Sequence, residues 1–405
     1  MGRYRDNTAI SFGGFYDTGR KLLVSGGAFN GLLELDKETF AAKYLQAFPC
    51  ESRTKYGLHH KIYHCRGMLF FAPDNAGGIH VYDLKSGMLS VIPIKFGKKG
   101  KKRCIDSQRI GDKLWLFYAF AENPFVIFDL VTFEISYFYG AAKSLPDEIQ
   151  RREKAVFYSP FARNGDEVFG VIWDSCYILR LNLISQDVQV VSVKECAKRL
   201  SGVAYLNDEL YVTQLYSRSV ASVNWKNRAV NSYSPPISSE FDGAKELVYS
   251  SVIAADGVIF LIPDAGKEIF CLDPDKKTIL PFASLPDGFE DFTDQRKNWR
   301  RFYNFDVLEK GFRLYPTGCN MMLTVRTDGC PVTGEVFRMS CLWEKTQYQE
   351  LIVNPHLREV TGPVWESVHT GLDHFTDYVA GLETRSAARK NHFGKDIWRN
   401  LKNGE

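Results

Sequence analysis

The residues best suited to chemistry are three aspartates, Asp74, Asp174 and Asp264, each set between two apolar runs and so expected on a turn. Carboxylates about 5–10 Å apart on one rim act as acid and base in glycoside hydrolysis, or hold sugar hydroxyls. The competing account is turn chemistry, because Asp and Asn are favoured in tight turns. His59, His60 and His64 form a local histidine cluster. By strand alternation His60 and His64 share a face and His59 points the other way, so three metal ligands cannot converge from this segment. No metal site is expected. His59 or His60 beside a site mouth is instead a candidate for ligand contact or proton transfer.

Neighbouring residues extend the list. Arg53, Asn75, Glu122 and Arg218 are candidate ligand-binding groups, and Trp173 and Tyr216 could stack on sugar rings or bases. Basic clusters at Lys98–Arg103, Arg151–Arg152, Lys198–Arg199 and Arg296–Arg301 could draw a phosphate or acidic glycan, although Glu290, Asp291 and Asp294 offset the last of these. No nucleophile elbow, P-loop, dinucleotide fingerprint or zinc-protease motif occurs, so no cofactor is expected and enzyme status stays open.

These residues must be held by something, and the sequence shows what. A β-rich run, a polar break, a second run ending in Asp or Asn, then a turn and a third run recur along the chain. Three copies are clear: Met68–Pro73 with Ile79–Asp83, Lys113–Tyr118 with Val126–Asp129, and Val258–Pro263 with Glu268–Asp273. Weaker copies end at Asp36, Asn182 and Asn224, with a degenerate one near Arg326, so the anchors recur every 42–53 residues. An apolar strand precedes each copy, as in Lys61–Gly67, Val203–Asp208 and Ser251–Gly257. Four short strands per unit of roughly 47 residues is the period of propeller blades. Such a unit cannot bury both faces alone, and packing neighbours around an axis solves this while leaving only short edges. The fold class is therefore all-β: a β-propeller of four-stranded blades over 1–363. Seven units fit 9–353, with six as the alternative. Two stacked sandwiches are the rival, but would not need one unit to recur throughout.

The tail differs. Trp365, Val368, Leu372, Phe375, Val379 and Leu382 lay one apolar stripe along a helix, so 364–405 reads as a short C-terminal helical segment.

The phrase Phe70-Phe71-Ala72-Pro73 followed by Ile79-His80-Val81-Tyr82-Asp83, repeated as Phe260-Leu261-Ile262-Pro263 with Ile269–Asp273, resembles blades of bacterial propellers of the broad Kelch and quinoprotein-like kind. Gly394-Lys395-Asp396-Ile397-Trp398 resembles C-termini of proteins from surface-glycan gene clusters. The sialidase Asp box, the Trp-Asp ending and the Kelch Gly-Gly are missing. The resemblance implies a propeller and a link to surface-glycan metabolism, without catalytic residues.

Composition narrows the rest. The 405 residues carry 51 Lys+Arg against 48 Asp+Glu and 45% hydrophobic residues, which excludes disorder and gives no global push toward nucleic acid or anionic membrane. Nucleic acid is not an expected partner. No 18-residue apolar run occurs, so no membrane span is expected, and the start lacks a secretory apolar core. Nine widely spaced cysteines without a CxxC pair suit a reducing, cytoplasmic setting. The expected function is a non-catalytic scaffold holding a protein or carbohydrate partner on its loop face. The alternative is a carbohydrate-active hydrolase or lyase with its site at the channel mouth.

Overall fold

The computed structural model describes residues 12–336, apart from 28–29, 40–41, 53–54, 56, 97–101, 195–196, 235–246, 265, 287–300, 317–320 and 329–331. Blade 1 comprises β1 (Phe12–Asp17), β2 (Lys21–Gly26), β3 (Leu32–Asp36) and β4 (Ala42–Gln46). Blade 2 is β5 (His59–Cys65), β6 (Met68–Pro73), β7 (Gly78–Asp83) and β8 (Leu89–Pro93). Blade 3 is β9 (Cys104–Ile110), β10 (Lys113–Tyr118), β11 (Phe125–Asp129) and β12 (Ile135–Phe138), followed by the short helices α1 (Gly140–Ser144) and α2 (Asp147–Gln150). Blade 4 is β13 (Ala162–Asn164), β14 (Glu167–Val171), β15 (Tyr177–Asn182) and β16 (Val188–Ser192). Blade 5 is β17 (Leu200–Leu206), β18 (Glu209–Gln214), β19 (Val220–Asn224) and β20 (Val230–Tyr233). Blade 6 is β21 (Tyr249–Ala255), β22 (Val258–Pro263), β23 (Glu268–Asp273) and β24 (Thr278–Ser284). Blade 7 is β25 (Phe302–Leu308), β26 (Gly311–Pro316), β27 (Met321–Val325) and β28 (Val332–Val336). Every blade is an antiparallel sheet in chain order, and the first strands meet around the axis, β25 against β1 closing the ring. The fold is a seven-bladed β-propeller.

The Asp or Asn that marks the repeat is a turn device. Asp36, Asp83, Asp129, Asn182, Asn224 and Asp273 each end a third strand, and each side-chain oxygen accepts the backbone N–H groups two and three residues on. Such Asx turns favour Asp and Asn for this reason. The fourth residue after the anchor then takes a left-handed conformation, at Gly87, Phe133, Gln186, Arg228 and Lys277. In blade 7 the anchor is replaced by Arg326, whose guanidinium pairs with Asp328 at 2.9 Å.

Seven apolar clusters occupy the seven interfaces between blades. Blades 3 and 4 bury Trp115, Phe117, Val168 and Leu179 together, and blades 7 and 1 close the ring through Tyr315, Met322, Phe12 and Val24. Closure needs no exchanged strand because these side chains pack face to face. At β1 the fit is tight enough that a Cβ on Gly13 would stand 2.2 Å from the His59 carbonyl oxygen. Asn304 of blade 7 donates from Nδ2 to the carbonyls of both Gly13 and His60, spanning blade 1.

The first strand of six blades carries a bulge near its start, leaving one extra residue at Gly13, His60, Ile105, Ser201, Ser250 and Tyr303. This changes the expected alternation at the histidines: His59 and His60 are both buried, and His64 is exposed. The helical stripe expected over Trp365–Leu382 lies outside the described residues, as does the whole of 364–405. Among the described residues no helix is long and apolar enough to cross a membrane.

Candidate functional site

Loops joining second to third strands share one face of a propeller with the connections between blades. Asp74, Asn75, Glu122, Trp173, Asp174, Tyr216, Arg218 and Asp264 all fall in such loops, as their spacing predicts. Arg53 lies outside the described residues.

Each of the three aspartates meets the start of the following blade. Asp74 is buried and accepts from Arg103 Nε at 3.1 Å, while its carbonyl accepts the Cys104 N–H. Asp174 accepts from Arg199 Nε at 2.6 Å. Asp264, also buried, accepts the backbone N–H of Arg301 at 2.7 Å, and the Arg301 guanidinium bonds the Gly266 carbonyl. The carboxylates of blades 2, 4 and 6 thus tie each blade to the next. Asn75 donates to the Gly57 carbonyl, and Glu122 is exposed.

The histidines enter buried chains of hydrogen bonds. His80 Nε2 lies 2.9 Å from the Pro49 carbonyl, which can only accept, so His80 Nε2 carries the proton. In its neutral form His80 then accepts at Nδ1 from His59 Nε2, 2.8 Å away, and His59 Nδ1 accepts from the Ser25 hydroxyl at 2.8 Å. Burial is the main cause that drives His59 well below the usual histidine range, with His80 adding to it, and His80 is lowered chiefly by burial. His60 bonds Ser107 Oγ through Nε2 at 2.9 Å and is pressed down to about 4, again mainly by burial. The Ser25–His59–His80 series has the hydrogen-bond order of a nucleophile, base and orienting group. Ser25 and His59 are nonetheless completely shut off from solvent. Among the described residues no group of three or more His, Cys, Asp or Glu is arranged to hold a metal ion.

One part of the loop face gathers several candidates. Above blades 4 and 5, Arg199 joins Asp174 and also lies over the Tyr216 ring, 4.7 Å from its centroid. Arg152 donates to the Trp173 carbonyl at 2.9 Å, and Tyr158 packs on the Trp173 ring at 5.0 Å. Asp174 and Tyr216 both have positive φ, 52° and 56°, a backbone state that costs a non-glycine residue of order 1–3 kcal/mol and clusters at functional sites. Tyr216 is 55% exposed although large and aromatic. The result is a fixed patch of Trp, Tyr, Arg and Asp. Spacing alone puts Trp173, Asp174 and Tyr216 on the right loops. It does not reveal Arg199 as the residue that joins Asp174 to Tyr216, and the signal for that is an arginine just ahead of a first strand, recurring at Arg103, Arg199 and Arg301.

No protein-family model matches the chain, and no curated protein sequence matches it. Solved structures do. Virginiamycin B lyase from Staphylococcus aureus is similar with a TM-score of 0.54 and 11% identity, covering 78% of this chain and 94% of that one. A streptogramin B lyase gives 0.52 and 11%, covering 82% and 94%. The extracellular domain of a putative hybrid two-component system from B. thetaiotaomicron gives 0.51 and 14%, covering 76% and 39%. At such identities the likeness is one of fold, and function must be argued from the site.

Proposed function

We propose that this chain is a non-catalytic binding propeller whose loop face above blades 4 and 5 holds a protein partner. The observation that carries this is the patch in which Arg199 holds Asp174 and Tyr216, Arg152 holds the Trp173 carbonyl and Tyr216 stays open to solvent. Trp, Tyr and Arg are the residue types that dominate binding hot spots. A preformed patch also spares the partner the cost of ordering it.

The rival reading, a carbohydrate-active hydrolase or lyase at the channel mouth, would use Asp74, Asp174 or Asp264 with His59 or His60. Support for the binding reading comes from the engagement of all three carboxylates with Arg103, Arg199 and Arg301. Cytoplasmic residence belongs to the proposal, supported by the free thiols of Cys50, Cys65, Cys104, Cys176 and Cys271.

The test pairs capture with turnover. Wild-type chain and the Trp173→Ala/Tyr216→Ala variant are used as baits in parallel, and both are screened on a glycan panel. A protein retained by wild type and lost from the variant, without glycan turnover, is the expected result. Turnover that disappears in Asp174→Asn would replace this reading with the enzymatic one.

A further inference from the structure

We propose that the central channel contains a second site, for a neutral polyhydroxylated ring of monosaccharide size. A cavity of about 320 Å³ lies there, walled by the inner strands of six blades. This is at the small end of ligand pockets, about 300–1,000 Å³. Lys61, Gln108, Ser159, Tyr205, Ser251 and Asp306 line it.

The polar groups of the wall define the ligand. Lys61 Nζ is matched by Asp106 Oδ1 at 2.6 Å and also donates to the Ser107 carbonyl. The other oxygen of Asp106 accepts from Gln108 Nε2 at 3.0 Å and from the Phe161 N–H at 2.9 Å. That bond fixes the Gln108 amide and leaves its carbonyl oxygen to accept. Asp306 accepts from the Tyr315 hydroxyl through Oδ2, which leaves Oδ1 to accept as well. Arg163, at the edge, gives its guanidinium protons to the Gly165 and Arg109 carbonyls. Ser159 is 6% exposed, and its hydroxyl has no hydrogen-bond partner among the described residues. A buried hydroxyl in that state calls for one.

Charge rules out the simpler ligands. The two cations, Lys61 and Arg163, are balanced by Asp106 and Asp306. An anion would face the Asp306 carboxylate, with Asp106, buried behind Lys61, already taking up that cation's charge, and an ammonium would face Lys61 and Arg163. A ring bearing several hydroxyls donates to Asp306 and Gln108 and accepts from Lys61 and Ser159, while the rings of Tyr205 and Phe305 offer apolar surface to its C–H faces. Burial raises the Asp306 carboxyl above the ordinary range, countered in part by Lys61, which favours hydroxyl contacts over a salt link.

This site is independent of the loop-face patch, although Tyr158 of the patch precedes Ser159 in the chain. The test is isothermal titration of the full chain with glucose, galactose, mannose, N-acetylglucosamine and myo-inositol, with glucosamine and glucose 6-phosphate as charged counterparts. At least one neutral compound should bind, weaken about tenfold or more in Gln108→Ala, and be lost in Ser251→Trp, which fills the cavity. Tyr216→Ala should leave that affinity unchanged, so failure here is distinct from failure of the patch. Absence of heat from every neutral compound would overturn the proposal. So would tighter binding of a charged counterpart, or full affinity in a folded Ser251→Trp variant.

Discussion

Arg199 donates to Asp174 at 2.6 Å, and this bond reinforces the backbone bonds from Asp174 N–H to the Leu200 carbonyl and from Leu200 N–H to the Ser175 carbonyl in joining the second-to-third-strand loop of blade 4 to the entry of blade 5. The same guanidinium lies over Tyr216, so two loops from successive blades are held by one side chain. Both side chains of the pair are nearly half exposed, at 45% and 42%, so solvent screens the ion pair.

Arg199→Ala should therefore change global stability by only about 0–1 kcal/mol, as urea unfolding will show. Partner affinity should fall much more, on the order of tenfold or beyond, if Arg199 organises a hot spot. Equal losses in stability and binding would mean that the variant acts through unfolding.

Ring closure rests on packing. Tyr315 and Phe12 are both 2% exposed, on opposite sides of the junction between blades 7 and 1. Tyr315→Ala should cost about 3–5 kcal/mol in unfolding free energy. Phe133→Ala, at a site 40% exposed on a turn, should cost far less in the same assay.

Acid should weaken the fold through its histidines. His60 is held down to about 4, so between the ordinary value of 6.5 and about 4 the unfolded chain binds a proton that the folded chain does not. The stability associated with His60 is complete above pH 6.5 and declines as pH falls toward 4, by about 3 kcal/mol at most. Thermal melts of wild type and His60→Gln across this window should converge as pH drops. Parallel curves would contradict the assignment.

The repeat anchor can be tested at Asn224, whose side chain accepts from the Lys226 and Asn227 N–H groups. Asn224→Ala should cost about 1 kcal/mol, measured by chemical denaturation. Asn224→Asp should retain most of that stability, because the accepting oxygen remains.

Blade period and anchor turns were legible in the sequence because an Asx turn demands Asp or Asn at one position, and Asp83, Asp129 and Asp273 display it openly. The placement of Asp74, Asp174 and Asp264 on loops followed from the same pattern. Their partners were hidden, since Arg103 is 29 residues from Asp74 and Arg199 is 25 from Asp174, beyond any local periodicity. The bulge at His60 leaves no sign in the sequence, because one inserted residue breaks strand alternation without a compositional mark. The channel pair Lys61–Asp106 is 45 residues apart and becomes visible only when blades 2 and 3 are side by side.

The account is tested most directly by placing a photoreactive side chain at position 216 on the loop face, or at position 208 in the β17–β18 turn on the opposite face. After irradiation with the binding partner present, position 216 should give a crosslinked heterologous product that disappears when Arg199→Ala is added, and position 208 should give none. Crosslinking from 208 but not from 216, or a 216 product indifferent to Arg199→Ala, would contradict a partner site above blades 4 and 5.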